Sequence, residues 1–152
     1  MKRFFLIAVC FMVVVSMVHA GDFTYVGAKK CKMCHKGAKK GEVWEKWEKG
    51  PHAKAFETLK AKGEEKNPKC LECHVADASV DPTEGVGCEA CHGPGSVYKK
   101  MSIMKDKKKA MESGLIEPTE AVCKKCHNEK SPTFKGFKFD EWVKKIDHTY
   151  TK

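Results

Sequence analysis

Apolar side chains in this chain fall at three- and four-residue spacing in short stretches. Almost nowhere do they alternate residue by residue, as a half-buried strand requires. Residues 37–49 set Val43, Trp44 and Trp47 on one face of a short helix, which Gly50-Pro51 punctuates. Pro51 suits the first position of a second helix running to Lys62. His52, Ala55, Phe56 and Leu59 share its apolar face, and Gly63 stops it. Asp81-Pro82 and two glycines make residues 75–87 a loop. Val97, Met101, Met104 and Met111 define a helix over 96–113, with lysines on its other faces and Gly114 at its end. Thr119 caps a short helix that carries the fourth motif, and residues 131–136 form a loop. Asp140 caps a last helix through Ile146, leaving His148 at its frayed end. The predicted class is mostly α, built of short helices and loops with little or no β.

The longest apolar run stands apart from these. It covers Phe4 to Val18, follows Lys2 and Arg3, and leads into Val18-His19-Ala20 before Gly21, which is the pattern of a cleaved export signal. At about 15 residues it falls short of the roughly 20 needed to span a bilayer. The expectation is therefore a signal peptide over residues 1–20 and a single domain over 21–152, located in the periplasm and not integral to a membrane. Cys10 leaves with the leader. The chain has 29 Lys plus Arg against 20 Asp plus Glu, a net charge of +9, of which the leader removes two positive charges. Such a surplus suits nucleic acid or an anionic surface, and export argues against nucleic acid.

Cysteine changes the picture most. The eight cysteines beyond Cys10 form four pairs of one spacing, Cys31/Cys34, Cys70/Cys73, Cys88/Cys91 and Cys123/Cys126, and each pair is followed at once by histidine: His35, His74, His92 and His127. This is C-x-x-C-H four times, the attachment signature of c-type haem. Two thiols three positions apart reach the two vinyl groups of one porphyrin and form thioethers, and the adjacent imidazole then ligates iron from below. A disulfide framework or a pair of four-cysteine zinc sites would use the thiols equally well. Neither explains a histidine after every pair. Four haems c are the expected cofactors. Buried between short helices, they supply much of the apolar area that a domain of this size needs, so the cofactor-free chain is expected to be largely unfolded.

The histidine account limits the iron ligands. Seven histidines are present; His19 lies in the leader and four are proximal ligands, which leaves His52 and His148. At least two irons must therefore use another sixth ligand or none. The spacing of the motifs brings the second and third haems near each other on a short tether.

Four segments in matching order, K-K-C-K-M-C-H-K (29–36), P-H-A-K-A-F (51–56), G-V-G-C-E-A-C-H-G-P-G (85–95) and F-K-F-D-E-W-V-K-K (137–145), carry a wider resemblance. Together they resemble the tetrahaem cytochrome family of nitrifying bacteria, whose best-known member takes electrons from hydroxylamine oxidoreductase. This chain looks like a shortened member. The resemblance implies haems stacked in close pairs, with three six-coordinate irons and one five-coordinate iron. It implies that His52 crosses over to the third haem, opposite His92, and that His148 caps the fourth, opposite His127, while the second haem, on His74, is open. The family's distal histidine after the G-P-G turn is missing here. That segment reads S-V-Y-K-K-M-S-I-M-K, so Met101 or Met104 is the natural substitute at the first haem.

The functional expectation is an electron carrier, not an enzyme, that shuttles electrons between redox partner proteins in the periplasm. The rival is a reductase of nitric oxide, hydroxylamine or nitrite at an open haem. A third reading is a subunit of an extracellular cytochrome filament, which the shortage of histidine disfavours. The lysine clusters at 29–40 and 99–109 are solvated faces in one reading and a docking surface for an acidic redox partner in the other.

Overall fold

The structure is a computed structural model that describes residues 23–148. The expected signal peptide lies outside the described residues. Among the described residues the regular structure is entirely helical: α1 Ala28–His35, α2 Val43–Lys49, α3 Ala55–Lys60, α4 Pro68–His74, α5 Cys88–His92, α6 Met101–Met104, α7 Lys107–Glu112, α8 Glu120–Cys123 and α9 Phe139–Ile146, with single 3-10 turns at Ala38–Lys40 and Pro82–Glu84. The mostly α class expected from the pattern is what the chain adopts. None of these helices is long and apolar enough to cross a membrane.

Several helices are shorter than their apolar pattern suggests. The stretch 37–49 breaks at Gly41 and Glu42, both left-handed, so that the helix proper starts at Val43. His52 lies in the turn ahead of α3, not on a helical face, because Lys54 and Ala55 donate to the carbonyls of Pro51 and His52 in tight turns. The pattern over 96–113 splits into α6 and α7 because the Asp106 side chain accepts Lys109 N–H at 3.1 Å, capping a new helix and ending the old one. Asp140 is not the cap of α9. Lys138 holds that position without a side-chain bond, and Asp140 sits in the first turn, where its charge suits the helix dipole.

Each attachment motif sits on, or at the end of, its own short helix, and packing brings these helices together in an order different from the chain's. α1 lies against α5. Gly87 comes so near Ala28 that a side chain on it would press on the Ala28 methyl. Little else is buried. Among the described residues the buried apolar side chains are Ala28, Trp44, Leu59, Tyr98 and Ala110, too few to hold helices this short by side-chain packing alone.

Candidate haem sites

Six of the eight attachment cysteines come near a cysteine of another motif. Cys31 and Cys88 lie side by side; their contact holds the Cys31 thiol down, while it and burial push Cys88 up. Burial first, and then the neighbouring Cys73, raises Cys126 to about 12. Cys126 Sγ also reaches the carbonyl of Glu72 at 3.9 Å, inside the second motif. Cys91 is raised by burial and by nearby Cys123. The motifs thus form a row in the order first, third, fourth, second. The second and third motifs, close in sequence, are not neighbours in this row. The 3-10 turn at Pro82–Glu84 and the Gly85 to Gly87 segment turn the third motif back onto α1.

Four of the six described histidines fall into two close pairs. The rings of His52 and His127 have centroids 6.0 Å apart, and those of His92 and His148 6.1 Å. This differs from the pairing that the family resemblance implied, which set His52 with His92 and His148 with His127. The physical reason lies in α9. Phe137 stacks on His127 at 4.9 Å and Trp142 lies 5.9 Å from it, which fixes the start and middle of α9 over the fourth motif. His148 lies two residues past the end of α9, beyond an extended Asp147, and is carried away to the third motif. His148 also lies near enough to His35 for its charge to act there. At the other pair, Val86 N–H donates to the His52 carbonyl at 2.9 Å, and Trp47 Nε1 donates to the Val86 carbonyl at 3.0 Å. These bonds hold the turn that presents His52.

The residues fit c-type haem. Two imidazoles on opposite sides of one metal ion, each with a metal–nitrogen bond of roughly 2 Å, have ring centroids roughly 6 Å apart, the spacing of both pairs. Burial pushes His35, His52, His92 and His127 down from their ordinary values, favouring the neutral imidazole that ligates metal. His74 Nδ1 lies 2.8 Å from the Ala55 carbonyl, which fixes the N–H on that nitrogen and leaves Nε2 as the free donor. Trp44 Nε1 is buried without an acceptor, a donor suited to a propionate oxygen. Met101 is 62% exposed and Met104, one turn on, half-buried.

One residue central to this arrangement was not singled out from the sequence. Glu89, between the two cysteines of the third motif, is 1% exposed. Its carboxylate accepts the backbone N–H groups of Val26 at 3.0 Å, Gly27 at 2.8 Å and Gly95 at 2.6 Å. The available signal was an acid inside C-E-A-C-H-G-P-G, followed by two glycines whose N–H groups can approach closely. Tyr98 is a second such residue. Its hydroxyl donates to the Gly93 carbonyl at 2.7 Å, and burial, foremost, holds the phenol protonated.

Short helices that carry or lead into C-x-x-C-H, motifs brought next to one another and paired imidazoles define a multihaem c-type cytochrome, a protein of electron transfer. Comparison narrows this. Residues 30–93 match the family described as Cytochrome c554 and c-prime. The chain is 28% identical to "Cytochrome c-554" of Nitrosomonas europaea over 181 aligned residues, covering 84% of this chain and 75% of that protein. The resemblance read from the motifs is borne out by both matches. The alignment is longer than the chain itself, so this chain has fewer residues than that protein within the aligned region. No solved structure matches it.

Proposed function

We propose that the chain is exported, loses residues 1–20, and works in the periplasm as a single domain bearing four covalent haems c that passes electrons between redox partner proteins. The observation that carries this reading is the order in which the attachment motifs neighbour one another, Cys31 in contact with Cys88, Cys91 near Cys123, and Cys126 against Glu72 and Cys73 of the second motif. Haem iron supplies one-electron redox change when bound. The chain's own share is to hold the rings in contact order, keep axial imidazoles neutral and limit water. His52 would serve the fourth haem with His127, and His148 the third with His92. His35 and His74 would be the proximal ligands of the first and second haems, with Met104 or Met101 as the remaining candidate at the first.

Mass spectrometry of the mature protein tests the reading directly. The expected product begins at Gly21 and carries four porphyrin masses. A product without porphyrin, or with zinc alone, would end it.

A second reading has one observation in its favour. His74 is oriented by the Ala55 carbonyl, yet His52 and His148, the described histidines outside the motifs, lie against His127 and His92. An open second iron would bind a small molecule such as nitric oxide, hydroxylamine or nitrite. Carbon monoxide binding to the reduced protein would support it, and a fully low-spin ferric spectrum with no carbon monoxide complex would remove it.

A further inference from the structure

The row of motifs has two ends, the first motif and the second, and their surfaces differ. Residues 29–40 hold six lysines and no acid. Residues 57–72, around the second motif, hold four lysines and four glutamates. Charge selects only the first end.

The local structure sharpens the contrast. Met33, between the two cysteines of the first motif, is 82% exposed, more than any other large apolar side chain among the described residues. Cys34 beside it is exposed, whereas the other seven attachment thiols are half-buried. Lys30, Lys36, Lys39 and Lys40 surround this edge and are all exposed. Among the described residues none of the four joins an ion pair, while their neighbours Lys29 and Lys32 are engaged by Asp81 and Glu48. Of the nearby acids, Glu45 is turned inward to accept Gly37 N–H at 3.1 Å, and Glu42 remains at the margin. An exposed apolar centre at the edge of a cofactor site, ringed by unpaired charges of one sign, is the make-up of a transient docking surface.

We infer that the face formed by α1 and the Ala38–Lys40 turn, centred on Met33, is where an acidic redox protein docks to exchange electrons with the first haem. This rests on the four-haem carrier reading above. The second end of the row, with balanced charge, is left for a partner of different character.

The test uses the holoprotein and two probes: fluorescent 20-residue polyglutamate, followed by anisotropy, and reduced flavodoxin as an acidic electron donor, followed by stopped-flow absorbance. Changing Lys30, Lys36, Lys39 and Lys40 together to Gln should weaken polyglutamate binding and slow reduction by flavodoxin at low salt by about tenfold or more, and should flatten the salt dependence of both. Changing Lys60, Lys62, Lys66 and Lys69 to Gln removes the same charge from the other end and should alter each by less than about twofold. Equal losses from the two sets would overturn the inference, as would no loss from either. Tighter binding of the intact protein to phosphatidylglycerol vesicles than to polyglutamate would also overturn it, in favour of a membrane surface. Met33→Glu, which adds one repelling charge at the centre, gives a second variant should the fourfold change impair haem attachment. Dithionite reduction of each variant separates the two failures. If dithionite leaves the haems oxidised, the carrier reading fails; if it reduces them while both lysine sets behave alike, only the docking face fails.

Discussion

The carboxylate of Glu89 accepts the backbone N–H of Gly27 at 2.8 Å, joining positions 62 residues apart in the chain. The same carboxylate takes Val26 and Gly95 N–H, so three backbone donors from two segments converge on one buried acid between two attachment cysteines. Through it the segment ahead of the first motif is fastened to the third. Glu89→Ala leaves these donors without acceptors, each lost partner costing on the order of 1–3 kcal/mol. The expected result is a large fall in the denaturation midpoint of the holoprotein, with Glu89→Gln intermediate because an amide oxygen serves only some of the donors. A midpoint within experimental error of the parent for Glu89→Ala would show that the segments are joined by other means.

The histidine pairs give a prediction that separates the geometry from the pairing the resemblance implied. His52→Ala should turn the fourth haem high-spin and leave the third low-spin, and His148→Ala should do the reverse. Proton NMR resolves this, because each haem's thioether methyl signals can be assigned through their own cysteines, Cys123 and Cys126 for the fourth and Cys88 and Cys91 for the third. The opposite pattern would restore His52 to His92. A high-spin change at neither haem would remove both histidines from the iron.

How much of this was readable in the sequence depended on range. C-x-x-C-H is local chemistry, so the cofactor class was legible within five consecutive residues. Helical class was legible as well, because apolar spacing is local, although the break at Asp106 was hidden by a methionine stripe that continues across it. The partners of His52 and His148 were not legible, since they depend on where Trp142 sets α9 and on how residues 82–87 fold back. Glu89 was missed for a related reason. An acid reads as surface until the backbone donors that surround it are known, and those come from positions 26, 27 and 95.

Gly85 shows how the backbone around His52 is held. It sits at φ 61°, and a side chain there would meet the His52 carbonyl oxygen at 2.6 Å and the Ala53 carbonyl oxygen at 2.7 Å. Gly37, at φ 87°, has nothing within 4 Å of the same position. Alanine at either site incurs backbone strain of roughly 1–3 kcal/mol, but only at Gly85 must the His52 turn also move. Gly85→Ala should therefore lower stability more than Gly37→Ala and add a high-spin fraction at the fourth haem that Gly37→Ala lacks. Equal spectra for the two variants would mean that the close approach does not govern His52.

Acid lability follows from Asp81. The Thr83 hydroxyl at 2.6 Å and backbone N–H at 3.0 Å, and then Lys29 at 3.2 Å, hold its carboxyl down to about 2. An unfolded aspartate titrates near 4. A carboxyl depressed on folding contributes stability that is fully present above the unfolded value and is lost as pH falls through the folded one, so the window here runs from about pH 4 down to about pH 2. Asp81 is exposed, and its share is correspondingly modest. Denaturant midpoints measured from pH 5 to pH 2 should fall more steeply in the parent than in Asp81→Ala across that window, with the two curves converging at the acid end. Parallel curves would mean that Asp81 keeps its ordinary affinity for protons in the folded protein, and that the tie from Lys29 to the turn before the third motif is not formed in solution.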